Sequence, residues 1–162
     1  MSGAFEVAAR VVDPELRVVT IAELGILRAV DTDRDRAVVT ITPTYSGCPA
    51  MDVIRDDVAA ALRAEGWADV TVVTKLSPAW TTDWIAESGR AKLAAAGIAP
   101  PGPVAGSGPV SLGLPGRRPD PPRCPHCGSV ETEELSRFGS TACKSLWRCR
   151  ACAEPFDHLK AL

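Results

Sequence analysis

Two Cys-x-x-Cys pairs near the end of the chain constrain its folding more than any other feature. The pairs are Cys124–Cys127 and Cys149–Cys152, with 21 residues between them. Two intervening residues let the chain turn so that both thiolates face one ion, and Gly128 permits the tight turn that follows the first pair. The spacing therefore predicts a tetrahedral site of four sulfur ligands.

Four thiolates favour zinc or a single iron and leave no coordination position open for substrate or water. We therefore expect a structural zinc, while an iron–sulfur cluster on the same ligands stays open as an alternative. The segment of about forty residues around the site is too small to fold on its own core, so metal binding is expected to stabilise it.

A further cysteine, Cys143, lies between the two pairs, with Lys144 and Arg148 close in sequence. Nearby positive charge favours a thiolate, but a buried spare cysteine is the commoner case. Cys143 is therefore interpreted as an accessory residue at most. The two histidines, His126 and His158, are interpreted as solvated or packing residues.

Proline and glycine divide the chain into two parts. Eight of the fourteen prolines fall between Pro100 and Pro122, together with five glycines. Such a stretch lacks backbone donors at the prolines and does not hold a regular element. We predict a domain at residues 1–99, a linker at residues 100–122 and a four-cysteine zinc-ribbon domain at residues 123–162.

The first domain is predicted to be α/β (α+β), a small three-stranded sheet packed with helices. Met51, Ile54, Val58 and Leu62 recur at helical spacing. Charged turn residues separate two β-rich runs, which suggests a hairpin. The predicted elements are a short helix ending before Asp13, strands at 24–30 and 37–42, a helix at 50–65, a strand at 70–76, and a helical stretch at 82–96 broken at Gly89.

Cys48 is the candidate functional thiol of this domain. It follows Ser46-Gly47 and precedes Pro49, where the second helix begins. If Pro49 is the first helical residue, Cys48 is the N-cap, and the helix amides and dipole favour its thiolate. A nucleophile or transferable metal ligand and an inert capping residue both remain open on this evidence.

No catalytic constellation accompanies Cys48 in the sequence. Both histidines lie in the distant ribbon, so a histidine-activated cysteine is poorly supported. Asp13, Glu15 and Glu23 are carboxylates that could serve as accessory acids, bases or ligands, although solvated caps are the commoner role for such residues. The tryptophans at 67, 80 and 84 are expected to pack at the domain edge.

Charge gives no support for nucleic-acid binding. The net charge is −2, residues 1–99 carry ten Lys/Arg against fourteen Asp/Glu, and residues 120–162 carry six of each sign. No signal peptide and no membrane-spanning stretch is recognisable, so we expect a cytoplasmic protein. In that compartment cysteines are more naturally metal ligands or reactive thiols than disulfides.

Several strings resemble known families. Asp13 to Leu16, Glu23 to Ile26 and Thr44 to Pro49 resemble, in order and spacing, the iron–sulfur cluster assembly domain of SufT-like proteins, over roughly residues 4 to 98. The longer strings PTYSGCPAM, LSPAWTTDWI, CPHCGS and FGSTACKSLWRCRACAEPFDHLK resemble the PaaD family over almost the whole chain outside the linker.

The resemblance implies a maturation factor rather than an enzyme. PaaD proteins are encoded with the phenylacetyl-CoA oxygenase (epoxidase) of aerobic phenylacetate degradation and are thought to help install or repair its metal centres. The expected partners are subunits of that oxygenase complex, including its iron–sulfur/flavin reductase. The resemblance also implies that Cys48 is the principal functional residue.

Two other functions stay open at this point. The chain could be a structural or regulatory subunit of the oxygenase complex, with zinc as a fold staple and Cys48 irrelevant. It could instead be an electron-transfer protein that holds iron in the ribbon. Whether Cys48 lies at a homodimer interface is also open.

Overall fold

The computed structural model describes residues 3–45, 47–102 and 120–160. The chain divides into two compact units, with the division between Lys92 and Leu93. No helix among the described residues is both long and apolar enough to span a bilayer.

The first unit contains a three-stranded sheet with helices, as predicted. Strands β1 and β2 form an antiparallel hairpin, and β3 runs parallel to β2, so the sheet order is β1-β2-β3. A parallel pair needs a crossover connection, and the second helix provides it. In chain order the elements are α1 (Ala4–Ala9), β1 (Leu27–Asp33), β2 (Arg36–Ile41), α2 (Ala50–Ala64), β3 (Asp69–Thr74), a 3-10 turn (Thr82–Trp84) and α3 (Glu87–Ala95), within which the division between the units falls.

The core of this unit is formed by buried residues of the central strand and by the apolar stripe of helix α2. Val39 in β2 is fully buried and lies between Val30 of β1 and Val72 of β3. Helix α2 buries a stripe that includes Ile54 and Val58, as the three-and-four spacing predicts. Burial of such side chains contributes about 1.5–3 kcal/mol each. The loop of residues 42–49, which contains Cys48, therefore connects two elements whose apolar residues are buried.

The helical stretch predicted from 82 to 96 is interrupted, but not at Gly89. The chain forms a 3-10 turn first, whose N-cap Thr81 accepts a hydrogen bond from the N–H of Asp83, and α3 begins only at Glu87. Gly89 lies inside α3, where a Cβ would stand 3.1 Å from the backbone oxygen of Glu23. The glycine thus allows two backbone segments to approach closely and does not break the helix.

The tryptophans of this unit contact other parts of its chain; the expected position at the domain edge stays a prediction. Trp67 and Trp80 are buried, and the indole N–H of Trp80 donates to the carbonyl of Leu24 at 2.9 Å. The guanidinium of Arg28 lies 3.6 Å from the ring centroid of Trp84, a cation–π contact.

The second unit is a four-stranded sheet. Its strands are β4 (Ile98–Ala99), β5 (Thr132–Ser136), β6 (Lys144–Cys149) and β7 (Pro155–Leu159), in the order β4-β7-β6-β5. Strands β5, β6 and β7 are antiparallel to their neighbours, whereas β4 pairs with β7 in parallel. Residues 103–119 of the predicted linker lie outside the described residues. The predicted domain limits stay a prediction.

Candidate metal centre and the Cys48 loop

The four cysteines of the two Cys-x-x-Cys pairs come together in the second unit. Their sulfur atoms all lie within 4.8 Å of one another. Across the site, the sulfur of Cys124 is 3.8 Å from that of Cys152, and the sulfur of Cys127 is 3.6 Å from that of Cys149. The first pair precedes β5; in the second pair, Cys149 ends β6 and Cys152 lies in the turn before β7.

The two pairs adopt the same backbone fold. The N–H of Cys124 donates to the carbonyl of Ser129 at 2.9 Å, and the N–H of Cys149 donates to the carbonyl of Glu154 at 3.0 Å, five residues on in each case. A residue with positive φ follows the second cysteine of each pair. It is a glycine with φ +75° at 128 and an alanine with φ +65° at 153. Each pair therefore closes a tight turn that presents two sulfurs to one side.

Backbone amides donate hydrogen bonds to sulfurs of the second pair. The N–H of Cys152, and also that of Ala151, donates to the sulfur of Cys149 and lowers its pKa to about 7. The N–H of Glu154 lowers the pKa of Cys152, but burial and the neighbouring thiols outweigh it and raise the value to about 12. Such amide donors stabilise thiolates, which are the form that binds metal.

The sulfur positions fit a single tetrahedral ion. With metal–sulfur bonds of about 2.3 Å, a tetrahedron places its sulfurs about 3.8 Å apart. Two of the six separations, 3.6 and 3.8 Å, agree with that value, and none of the others exceeds 4.8 Å. They are far longer than the sulfur–sulfur bond of about 2.05 Å in a disulfide, and all four cysteines are free thiols. The site is a metal-binding cluster of four thiols.

Cys143 and the two histidines are not members of this cluster. Cys143 is buried, and its sulfur lies 3.0 Å from the hydroxyl of Thr141. His158 is partly buried, with its ring edge-on to Trp147 at a centroid distance of 5.9 Å, and burial lowers its pKa to about 4. Among the described residues, the cysteine cluster contains no histidine. His158 is a packing residue, one of the two roles that the sequence suggested.

Cys48 lies in the loop between β2 and α2, half-buried. The helix begins at Ala50 with Pro49 as N-cap, so the prediction that Cys48 is the N-cap is wrong by one residue. Pro49 nevertheless has helical dihedral angles, φ −67° and ψ −21°, so the backbone turns helically one residue before the helix begins. The carbonyl of Cys48 nonetheless accepts the N–H of Met51 at 3.2 Å, which ties the loop to the first turn.

The expectation that the helix start lowers the pKa of Cys48 is also wrong. Burial of the thiol raises its pKa and outweighs the N–H of Ala50, which donates to the sulfur; the negative charge of Glu15 raises it further. Side-chain hydrogen bonds from Tyr45 and Thr44 act in the opposite direction without reversing the result. The thiol is held in its neutral form by its surroundings, yet several donors are in place to receive a thiolate.

The three carboxylates have different places in the fold. Asp13 is 6% exposed, and its Oδ1 accepts the N–H groups of Glu15 and Leu16 at 3.0 and 2.8 Å, so it caps a turn from inside the protein rather than as a solvated residue. The backbone N–H of Glu15 is held by that turn, and the charge of Glu15 acts on the Cys48 thiol. The Glu23 carboxylate accepts the N–H of Thr20, and the Thr20 hydroxyl accepts the N–H of Glu23. Glu23 also forms an ion pair with Lys92 at 2.8 Å, which links the turn before β1 to α3.

Sequence reasoning missed Thr44 and Tyr45 as neighbours of the thiol. Both belong to the string TPTYSGCP, which the sequence predicts only as a loop. Hydroxyl residues three and four positions before a helix-start cysteine, in a loop that must turn back, were the available signal.

Comparison with known proteins assigns the two units. Residues 6–74 match the family described as iron–sulfur cluster assembly protein, and residues 113–160 match the PaaD zinc beta ribbon domain. A protein of Escherichia coli strain K12, described as a subunit of a putative 1,2-phenylacetyl-CoA epoxidase, is 43% identical over 150 residues, which cover 93% of this chain and 86% of that protein.

Two further proteins match the first part of the chain. The Fe-S protein maturation auxiliary factor YitW of Bacillus subtilis strain 168 is 41% identical over 83 residues, covering 50% of this chain and 78% of that protein. The crystal structure of a domain of unknown function, DUF59, from Bacillus anthracis has a TM-score of 0.52 at 29% identity, covering 56% of this chain and 87% of that one. The chain belongs to the PaaD family, in which an iron–sulfur cluster assembly domain is joined to a PaaD zinc ribbon domain.

Proposed function

We propose that the chain is a cytoplasmic, non-catalytic maturation factor of a phenylacetyl-CoA epoxidase (oxygenase) system, in which it assists assembly of iron–sulfur or other metal centres. The similarity to the E. coli epoxidase protein along nearly the whole chain supports the system. The similarity of the first part alone to a maturation auxiliary factor supports the role.

The surroundings of Cys48 carry the proposal. The thiol is half-buried, has a raised pKa, and lies among an amide donor and two hydroxyl donors. A neutral thiol resists oxidation and indiscriminate alkylation, because the thiolate is the reactive form. When a cationic iron centre arrives as cargo, its charge favours loss of the proton, and the donors then stabilise the bound thiolate. Such a thiol suits transient binding.

The ribbon is proposed to hold zinc as a structural ion. Its four sulfurs complete the coordination sphere, which leaves no position for chemistry. Sulfurs within 4.8 Å of one another support a single ion, since in a cluster the thiolates bind different irons and stand farther apart. A purified chain that is colourless and contains one zinc would exclude electron transfer by ribbon iron.

The proposed clients are the subunits of the oxygenase, including its iron–sulfur/flavin reductase. The test is a Cys48→Ser strain compared with a Cys143→Ser strain, because Cys143 is a buried cysteine outside both sites. We expect Cys48→Ser to lower the iron content of the reductase or oxygenase while the variant keeps its fold and its zinc. A fully loaded, active oxygenase in the Cys48→Ser strain would reject the proposal.

A second function, a structural or regulatory subunit, is favoured by the closed four-sulfur site alone. The two functions differ in the expected association. A maturation factor associates transiently with its client, whereas a subunit co-purifies with the catalytic subunits at fixed stoichiometry and does so equally well as Cys48→Ser.

A further inference from the structure

The strand β4 precedes the Pro/Gly-rich segment in the chain but is hydrogen-bonded within the ribbon sheet. Ile98 pairs with Asp157 and Ala99 with His158, in parallel register. Strand β7 therefore has β6 on one side and β4 on the other. The ribbon family match begins only at residue 113 and does not include this strand.

Side-chain packing ties β4 to the metal ligands themselves. Ala99 is 1% exposed and belongs to a buried cluster with Cys124, Cys149 and Phe156, with Trp147 packed against it. A residue of β4 thus shares one buried cluster with two of the four ligand cysteines. Excluding water from thiolates in this way strengthens their interaction with a cation.

The residue before β4 contacts the first cysteine turn. Gly97 has φ +77°, and a Cβ at this position would stand 3.2 Å from Cε1 of His126, the side chain between Cys124 and Cys127. The positive φ favours glycine here, and a Cβ would in addition require the exposed His126 ring to shift by a few tenths of an ångström. The turn that presents the first two sulfurs rests against this glycine.

We propose that Gly97, Ile98 and Ala99 are part of the metal ribbon and stabilise its bound ion, so that residues 100–122 are an insertion within the ribbon rather than a spacer ahead of it. The ribbon is then built from two separated stretches of chain. Strand β4 stabilises the bound ion, and the bound ion in turn stabilises the pairing of β4 with β7. Helix α3 ends at Ala95, only two residues before β4, so the covalent connection between that helix and the ribbon is short.

The first test measures zinc affinity of the full chain by competition with a chromophoric chelator. Ala99→Asp places a carboxylate among the ligand sulfurs, and Gly97→Val introduces a branched side chain against His126. We expect each to weaken zinc binding about tenfold or more, which corresponds to about 1.4 kcal/mol. Gly102→Val is the matched control, because Gly102 is exposed and a Cβ there meets nothing within 4 Å. Zinc affinities of both variants equal to that of the control would overturn the proposal.

The second test needs no substitution and so is independent of misfolding. Hydrogen exchange of the full chain is measured with zinc bound and after zinc removal by a chelator. We expect the amides of Ile98 and Ala99 to lose protection together with β7, while β1 to β3 keep theirs. Unchanged exchange at these two residues when β7 loses protection would overturn the proposal.

Discussion

Glu15 and Cys48, which the β1–β2 hairpin separates in sequence, interact electrostatically in the folded protein. Burial of the thiol is the larger cause of its raised pKa, and the charge of Glu15 adds to it. The turn capped by Asp13 fixes Glu15 in this position. Two of the short strings that carry the family resemblance therefore meet at one thiol, and the first of them influences its ionisation.

Replacing Glu15 by glutamine is expected to make Cys48 more reactive. Loss of the negative charge lowers the pKa of the thiol, so the rate of alkylation by iodoacetamide should rise at neutral pH and its midpoint should move to lower pH. The rate at Cys48 is followed by mass spectrometry of the peptide against pH. Asp33→Asn, an exposed charge at the end of β1, serves as control and should leave the profile unchanged.

Reverse substitutions at corresponding positions of the two cysteine turns are expected to change stability in opposite directions. Ala153 has φ +65° where its counterpart in the first turn is Gly128 with φ +75°. A left-handed conformation costs a residue with a Cβ about 1–2 kcal/mol. We expect Ala153→Gly to stabilise the zinc-bound ribbon by up to about 1 kcal/mol, and Gly128→Ala to destabilise it by about 1–2 kcal/mol. Thermal unfolding of the zinc-loaded chain measures both, and a destabilised Ala153→Gly would contradict the argument.

Ligand spacing made the ribbon site predictable because two residues between cysteines leave few ways to place both sulfurs. The helix α2 and the β1–β2 hairpin were predictable because their hydrophobic periods are regular. The strand β4 was not, since two residues with no turn signal of their own acquire a strand conformation only from the neighbouring β7.

The pKa of Cys48 was mispredicted for a similar reason. The sequence shows a cysteine before a helix, which alone favours a thiolate. Burial and the charge of Glu15 depend on how distant segments fold together, and here they outweigh the donors. Likewise Gly89, which a linear pattern treats as a helix break, is required by its approach to the backbone of Glu23.

Gly25 is expected to be intolerant of a side chain. Its φ is +73°, and a Cβ would stand 2.6 Å from the Cβ of Trp84 and 2.8 Å from that residue's carbonyl oxygen. Backbone strain and overpacking together predict that Gly25→Ala destabilises the first unit by about 2–4 kcal/mol. Chemical denaturation followed by tryptophan fluorescence measures the change. Gly66→Ala, also at positive φ but with open space around it, should cost only the strain.

His158 predicts a pH dependence of ribbon stability. Its pKa is lowered by burial to about 4 in the folded chain, whereas an unfolded histidine has a pKa of about 6.5. Between these values the unfolded chain binds the proton more readily, so the contribution to stability is complete above about pH 6.5 and decreases as the pH falls toward about 4. A proton NMR titration of the zinc-loaded chain should show the His158 ring still neutral about one pH unit below the ordinary histidine pKa. A midpoint at the ordinary value would contradict the burial argument.

Serine substitution of single cysteines distinguishes the metal ligands from the other cysteines. Cys127→Ser leaves three thiolates, which bind zinc less tightly, and the second unit, whose folding depends on the ion, should lose much of its β-sheet protection from hydrogen exchange. Cys143→Ser should keep one zinc per chain, because the Cys143 sulfur lies with Thr141 outside the cluster. Cys48→Ser should likewise keep it. Zinc content is measured by mass spectrometry of the intact chain, and loss of zinc in the Cys143 variant would assign that sulfur to the site.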